Sequence, residues 1–295
     1  MKLIKPSFQI IPQEDLFKHI ELCGRVCYKS EDKITDNSAE KFVNSLIKSG
    51  HHSVLEHGTV YLKTVRYIDK RGRELGNKLG LTESDFSIPG KSGYSYDNKH
   101  YYFKYKDNPY SKLVDKSVDG IDIHYITTNY RTLTENGWLD DLKFQCEPTE
   151  FHEKRATVRF ICDRGILAEF TRHRTFSFSA ESSRYCDYSR DRFGNEITFI
   201  EPCWPYGEPL KDGFPEFITA LSETENHYLF LIKNGWKPQQ ARAVLPNALK
   251  TELVMTGFVS DWEHFFSLRC APSAHPQARE LAIPLKEEFK SLNLI

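Results

Sequence analysis

At 295 residues the chain makes one large domain or two small ones, long enough to bury a core without disulfide or metal staples. Its 40 Lys and Arg against 41 Asp and Glu leave a net charge of −1, which excludes a global basic field and, with it, general nucleic-acid binding as the first reading. No signal-peptide pattern opens MKLIKPSFQIIPQ and no run of about 18 apolar residues occurs, so a soluble, cytoplasmic protein with no membrane partner is expected.

Residues 1–12 read as a strand and a turn. In PQEDLFKHIELCGRVCY, Leu16, Ile20, Cys23 and Cys27 recur at helical spacing with acids in the first turn, which predicts a helix. NSAEKFVNSLIKSG predicts a second, capped by Ser38, with Phe42, Leu46 and Ile47 inward and Gly50 at its end. HHSVLEHGTVYLKTVRYI reads as a turn leading into a strand. Residues 84–120, rich in Tyr, Lys, Asn, Gly and Pro, have no helical period and read as an insertion, part hairpin and part loop. Its tyrosines and lysines suit stacking on bases, but a surface hairpin is the plainer reading. A helix is expected over IHYITTNYRTLTENGW, ending at Asn136-Gly137.

ATVRFICDRG alternates Val158, Phe160 and Cys162 against Arg159, Ile161 and Asp163, a strand ending at Gly165. ILAEFTRHR then resumes a helical register. EFITALSETENHYLFLIKNG predicts a long helix with Phe217, Leu221, Thr224, Tyr228 and Leu231 inward. Pro238 opens the next helix, which carries Arg242, and DWEHFFSLR delivers Arg269 at a helix end. The seven cysteines form no CxxC pair and read as reduced thiols, most of them buried; a catalytic cysteine is the lesser alternative. No metal-ligand cluster is expected.

The chemistry concentrates in TRHRTFSFSAESSRYCDYSR, residues 171–190. At about 4 Å and an effective dielectric near 20, two guanidiniums repel by roughly 4 kcal/mol. A pocket holding several of them needs acids or an anionic ligand, and the local acids are only Glu169, Glu181 and Asp187. If extended, the segment puts Ser182 and Arg184 on one side, a fit for phosphate. The blander alternative is an exposed basic loop paired with surface carboxylates.

RHRTFSFSAESSRY closely resembles the signature of the flavin-dependent thymidylate synthases: Arg172, His173, Arg174, Ser177, Ser182, Arg184 and Tyr185 all fall in place. GHHSVLEH at 50–57, RAVLP at 242–246 and HFFSLRCAPSAHPQ at 264–277 resemble three further blocks of that family, in order. The resemblance implies reductive methylation of dUMP to dTMP, with methylenetetrahydrofolate as one-carbon donor and NADPH-reduced FAD as hydride source. It implies Arg269 as the catalytic cation at the uracil ring. It assigns Glu169, Arg172, Glu181, Ser182, Ser183, Arg184 and Arg242 to dUMP, and His51, Ser53, Glu56, Arg172, His173, Arg174, His264 and His275 to FAD or folate.

The implied fold is one α+β domain over 1–295, a twisted, mainly antiparallel sheet flanked by helices. A polar insertion at about 84–145 is left without a counterpart. The implied assembly is a homotetramer with shared active sites. The chain departs from the family pattern at Ser179 and Ala180, and again at Phe258–Ser260, both places where the family meets flavin. A catalytically idle nucleotide- or RNA-binding module is the alternative reading, and another phosphoryl-substrate enzyme stands behind it.

Overall fold

The computed structural model describes residues 1–67, 78, 102–190, 194–204 and 213–295. Its strands are β1 (Lys2–Ile4), β2 (Ser7–Ile11), β3 (Thr59–Tyr67), β4 (Lys112–Val118), β5 (Ile121–Asn129), β6 (Arg155–Asp163), β7 (Ser177–Ala180), β8 (Thr198–Ile200) and β9 (Lys250–Phe258). The central sheet runs β2-β6-β9-β7, every pair antiparallel. A second antiparallel sheet runs β3-β5-β4, and β1 pairs in parallel with β8. The fold is α+β, as expected.

Alternation along β6 decides what each face of the central sheet meets. Val158, Phe160 and Cys162, with Leu253 and Met255 across the ladder, face the helices Val259–Arg269 and Pro276–Ser291. Trp262, Phe265, Phe266 and Phe289 are buried there, each contributing about 1.5–3 kcal/mol by leaving water. The opposite face is mostly polar, with Val254 packed against Cys23 and Val26. Thr157 bonds His19 of the helix Leu16–Val26 (3.0 Å), and Arg159 pairs with Glu252. Gly257 sits in β9 where a Cβ would come within 2.6 Å of the Phe176 ring. Gly257→Ala is therefore expected to destabilise the fold by about 1–3 kcal/mol, read as a lower urea midpoint at unchanged slope.

Three expectations about local structure need correction. Residues 121–129 are a strand, and the helix that follows covers only Tyr130–Glu135. The run Ile121, Ile123, Ile126, Thr127 and Thr128 is β-branched and prefers a strand. The strand is central in its sheet and largely buried, so no period of two marked it. Asn129 caps the short helix by accepting from the Thr132 N–H at 2.9 Å. Asp119 and Gly120, both at positive φ, close the β4–β5 hairpin as a two-residue turn. The part of the expected insertion at 84–101 lies outside the described residues.

Ser38 stands at the start of the helix Ala39–Ser49 but does not cap it; its hydroxyl donates to Glu21 (2.7 Å) and accepts from the Thr35 N–H. Glu14 and Asp15 precede the helix Leu16–Val26 rather than entering its first turn, and Asp15 is its cap. All seven cysteines are free thiols, with Cys23, Cys162 and Cys186 buried and Cys203 exposed. Among the described residues no helix is long and apolar enough to cross a membrane, and no cluster of ligands suits a metal ion.

Candidate active site

β6 ends at Asp163, whose Oδ1 accepts the Ile166 N–H at 2.7 Å and so caps the helix Arg164–Phe170. That seven-residue helix stops at Thr171, and the chain turns through Arg172, His173 and Arg174. His173 points inward, 7% exposed, while Arg172 and Arg174 point out to solvent.

Arg269, at the end of its own helix, reaches this turn with three donors. Nε gives to His173 Nε2 (2.9 Å), one terminal nitrogen to Glu169 Oε2 (2.6 Å), and the other to the Glu169 carbonyl (2.7 Å). Accepting from a guanidinium requires His173 Nε2 to be unprotonated. Burial, then the Arg269 charge, then His264 push the His173 pKa down to about 4, so the ring is neutral at pH 7. His264 lies beside it with ring centroids 6.3 Å apart, but on the exposed side of the helix Val259–Arg269, not on its apolar face.

β7 carries the signature on toward its second half. The Glu181 N–H continues the ladder to the Glu252 carbonyl (2.9 Å), and the Ser182 N–H donates to the Cys27 carbonyl (3.0 Å). From Ser182 the chain turns, with Tyr185 and Cys186 N–H both donating to its carbonyl. The segment is therefore not extended, and the shared side expected for Ser182 and Arg184 is replaced by a turn in which Ser182 Oγ accepts the Arg184 N–H (3.3 Å). Arg242 donates to Ser183 Oγ at 3.2 Å. Glu181 is buried, bonded by Lys250 Nζ (2.7 Å) and the Tyr188 hydroxyl (3.3 Å).

The 3-10 turn His52–His57 carries the first block. His51 and Ser53 are exposed. The Glu56 carboxylate pairs with Arg131, and its carbonyl accepts from Arg155 at 3.0 Å. His57 is fully buried between Thr256 Oγ1 (2.7 Å) and Ser179 Oγ (3.0 Å); burial first, then His19 and Arg155, push its pKa down to about 3. It is a structural link between β9 and β7. His275 stands apart, preceding the helix Pro276–Ser291 with its ring 5.8 Å from that of Trp204.

The expected residues thus fall into groups: Glu169, His173, His264 and Arg269; Ser182, Ser183, Arg184 and Arg242; and His51, Ser53 and Glu56. Arg172, Arg174, Arg184 and Arg242 are all exposed and, among the described residues, have no carboxylate partner; in the single chain solvent rather than acids screens them. Sequence reading missed Arg131, which holds Glu56 and also pairs with Glu135 (2.9 Å), itself bonded to His52 (2.9 Å). The Arg131–Glu135 spacing of four was the available signal.

Comparison with known proteins follows the same residues. The family model described as thymidylate synthase complementing protein matches residues 10–66 and 110–292, and the chain belongs to that family. The match leaves out 67–109, so the β4–β5 hairpin and the helix after it lie within it. A flavin-dependent thymidylate synthase from Pyrococcus abyssi is 30% identical over 131 residues, 43% of this chain and 51% of the relative. One from Corynebacterium efficiens is 29% identical over 171 residues, 55% of this chain and 68% of the relative. The chain spans about half the length of the Pyrococcus relatives it matches. Among solved structures, a UMP/dUMP methylase from Streptomyces cacaoi aligns at 15% identity and TM-score 0.43, covering 99% of this chain and 93% of that one.

Proposed function

We propose that the protein methylates dUMP at C5 to give dTMP, taking the one-carbon unit from methylenetetrahydrofolate and the reducing electrons from NADPH through FAD. The observation that carries this reading is the set of four guanidiniums without carboxylates along the signature turn and at Arg242, in a chain of this family. Arginine forks match phosphate oxygens, and serine hydroxyls add donors. Arg172, Ser182, Ser183, Arg184 and Arg242 hold the phosphate and sugar of dUMP, and Glu181 fixes the end of β7 beneath them through Lys250. Arg269, oriented by Glu169 and by neutral His173, faces the uracil carbonyl and N3 and stabilises the charge that makes C5 nucleophilic.

The donor set suits a flavin nucleotide. Arg174 with Arg172 offers exposed cations, and His51, Ser53 and His264 offer exposed polar groups without burial cost. At the departures the fit changes: Ser179 Oγ is engaged by His57 and the Phe258 side chain is buried, so contact there falls to backbone groups. Bound flavin would supply the two-electron reduction. His275 belongs to the same reading as a flavin-side residue, and so does a cytoplasmic homotetramer whose subunits share active sites.

Purified protein is expected to release tritium from 5-tritiated dUMP when FAD, NADPH and methylenetetrahydrofolate are all present, and not when any one is withheld. A colourless protein that takes up no FAD yet binds dUMP or RNA would instead identify an idle binding module.

A further inference from the structure

Beyond the helix Leu16–Val26 the chain passes through Cys27 and Tyr28 to Lys29, a non-glycine residue at φ 49°. The left-handed conformation costs about 1–3 kcal/mol and persists only where surroundings enforce it. Here Lys29 Nζ is held by Glu252 (2.7 Å) and Glu31 (3.0 Å), while the Cys27 carbonyl is held by the Ser182 N–H (3.0 Å). What this turn displays is Tyr28, whose ring lies 5.1 Å from that of Tyr185 with 42° between their planes. The two rings are 41% and 52% exposed, side by side in solvent rather than in the core.

They wall a cleft of about 360 Å³ whose other lining residues are Arg25, Ser30, Lys33 and Phe42. Among the described residues no carboxylate lines it. Arg25 is neutralised by Glu21 at 2.7 Å and lies over the Phe42 ring. Lys33 has no carboxylate partner among the described residues, nor has Arg184, whose guanidinium lies 5.4 Å from the Tyr185 ring centroid. Two exposed rings and an unpaired cation at Lys33 select a ligand with a flat aromatic ring and a carboxylate. We propose that this cleft binds the aminobenzoyl-glutamate portion of the folate donor, the benzoyl ring against Tyr28 and Tyr185 and a glutamate carboxylate at Lys33. The assignment rests on the folate-dependent reading above and extends it to Tyr28 and Lys33, outside the signature blocks, beside the signature's own Tyr185.

The test uses the full chain with p-aminobenzoyl-L-glutamate as the probe, titrated calorimetrically. Tyr28→Ala and Lys33→Glu, both on exposed side chains, are expected to weaken probe binding roughly five- to tenfold, and Tyr28→Phe to restore it. In steady state the same two variants should raise KM for methylenetetrahydrofolate by a similar factor while KM for dUMP and NADPH holds. Wild-type protein that does not bind the probe, variants that bind it unchanged, or a rise confined to KM for NADPH would overturn the assignment. Wild-type protein that binds the probe through Tyr28 and Lys33 but forms no dTMP would uphold the cleft and reject the methylation reading instead.

Discussion

Under the proposed methylation, replacing Arg269 with alanine is expected to lower dTMP formation by roughly 10²–10³-fold, the usual cost of removing one preorganised donor from developing charge. Three donor groups of one guanidinium meet His173 and Glu169 at 2.6–2.9 Å, so the cation is aimed before substrate arrives. Its removal also leaves a buried imidazole nitrogen without its donor and a carboxylate without its counter-charge. Arg269→Lys should recover little, because a single ammonium cannot serve the histidine, the carboxylate and the carbonyl together. The loss should appear in kcat for tritium release, with far-UV circular dichroism unchanged because Arg269 ends its helix. Full turnover by Arg269→Ala would refute the role given to it.

The second large effect concerns stability. Glu252 is 4% exposed and holds Lys29, Lys250 and Arg159 at once. Glu252→Gln removes the carboxylate shared by three cations; Lys29 and Arg159 keep Glu31 and Lys250 keeps Glu181, so the cost is expected near the lower end of the about 3–5 kcal/mol for breaking a buried charge network from one side. Burial alone would raise the Glu252 pKa, but Lys250 and then Lys29 outweigh it and hold the carboxyl down to about 2. A depressed carboxylate contributes its stability above its unfolded pKa and loses it as pH falls toward the folded one. The window here runs from about pH 4.5 down to about 2 and is worth roughly 3 kcal/mol. The gap in urea midpoint between wild type and Glu252→Gln should narrow by roughly half from pH 7 to pH 3. A constant gap across that range would show that the carboxylate is not what the network stabilises.

The elements with a clean period were legible from sequence: the helices of 16–26 and 39–49, the strand Arg155–Asp163, and the helices that deliver Arg242 and Arg269. β5 was not, because a strand buried in the middle of its sheet carries no alternation and its β-branched run continued into a true helix at Tyr130. The turn at Ser182 was missed for a different reason: what bends the chain is a bond to the Cys27 carbonyl, 155 positions away. The site residues were legible as residue types in blocks, yet their local engagement was not. Nothing near Glu181 announced Lys250, and nothing near His57 announced Thr256 and Ser179.

The second sheet also sets a minimum length for the stretch that the family match omits. β3 and β4 both run antiparallel to β5 and flank it on opposite sides, so they run parallel to each other. The chain leaving Tyr67 beside Ile121 must re-enter at Lys112 beside Thr127, at the far end of the strand. A hairpin cannot make that journey; a crossover spanning the sheet is obligatory, and such crossovers need about a dozen residues or more. Any shortening between the two strands must keep that span and also Tyr102 and Tyr105, which are buried in the core, whereas lengthening is cheap, since each doubling of a loop adds only about 0.6 kcal/mol.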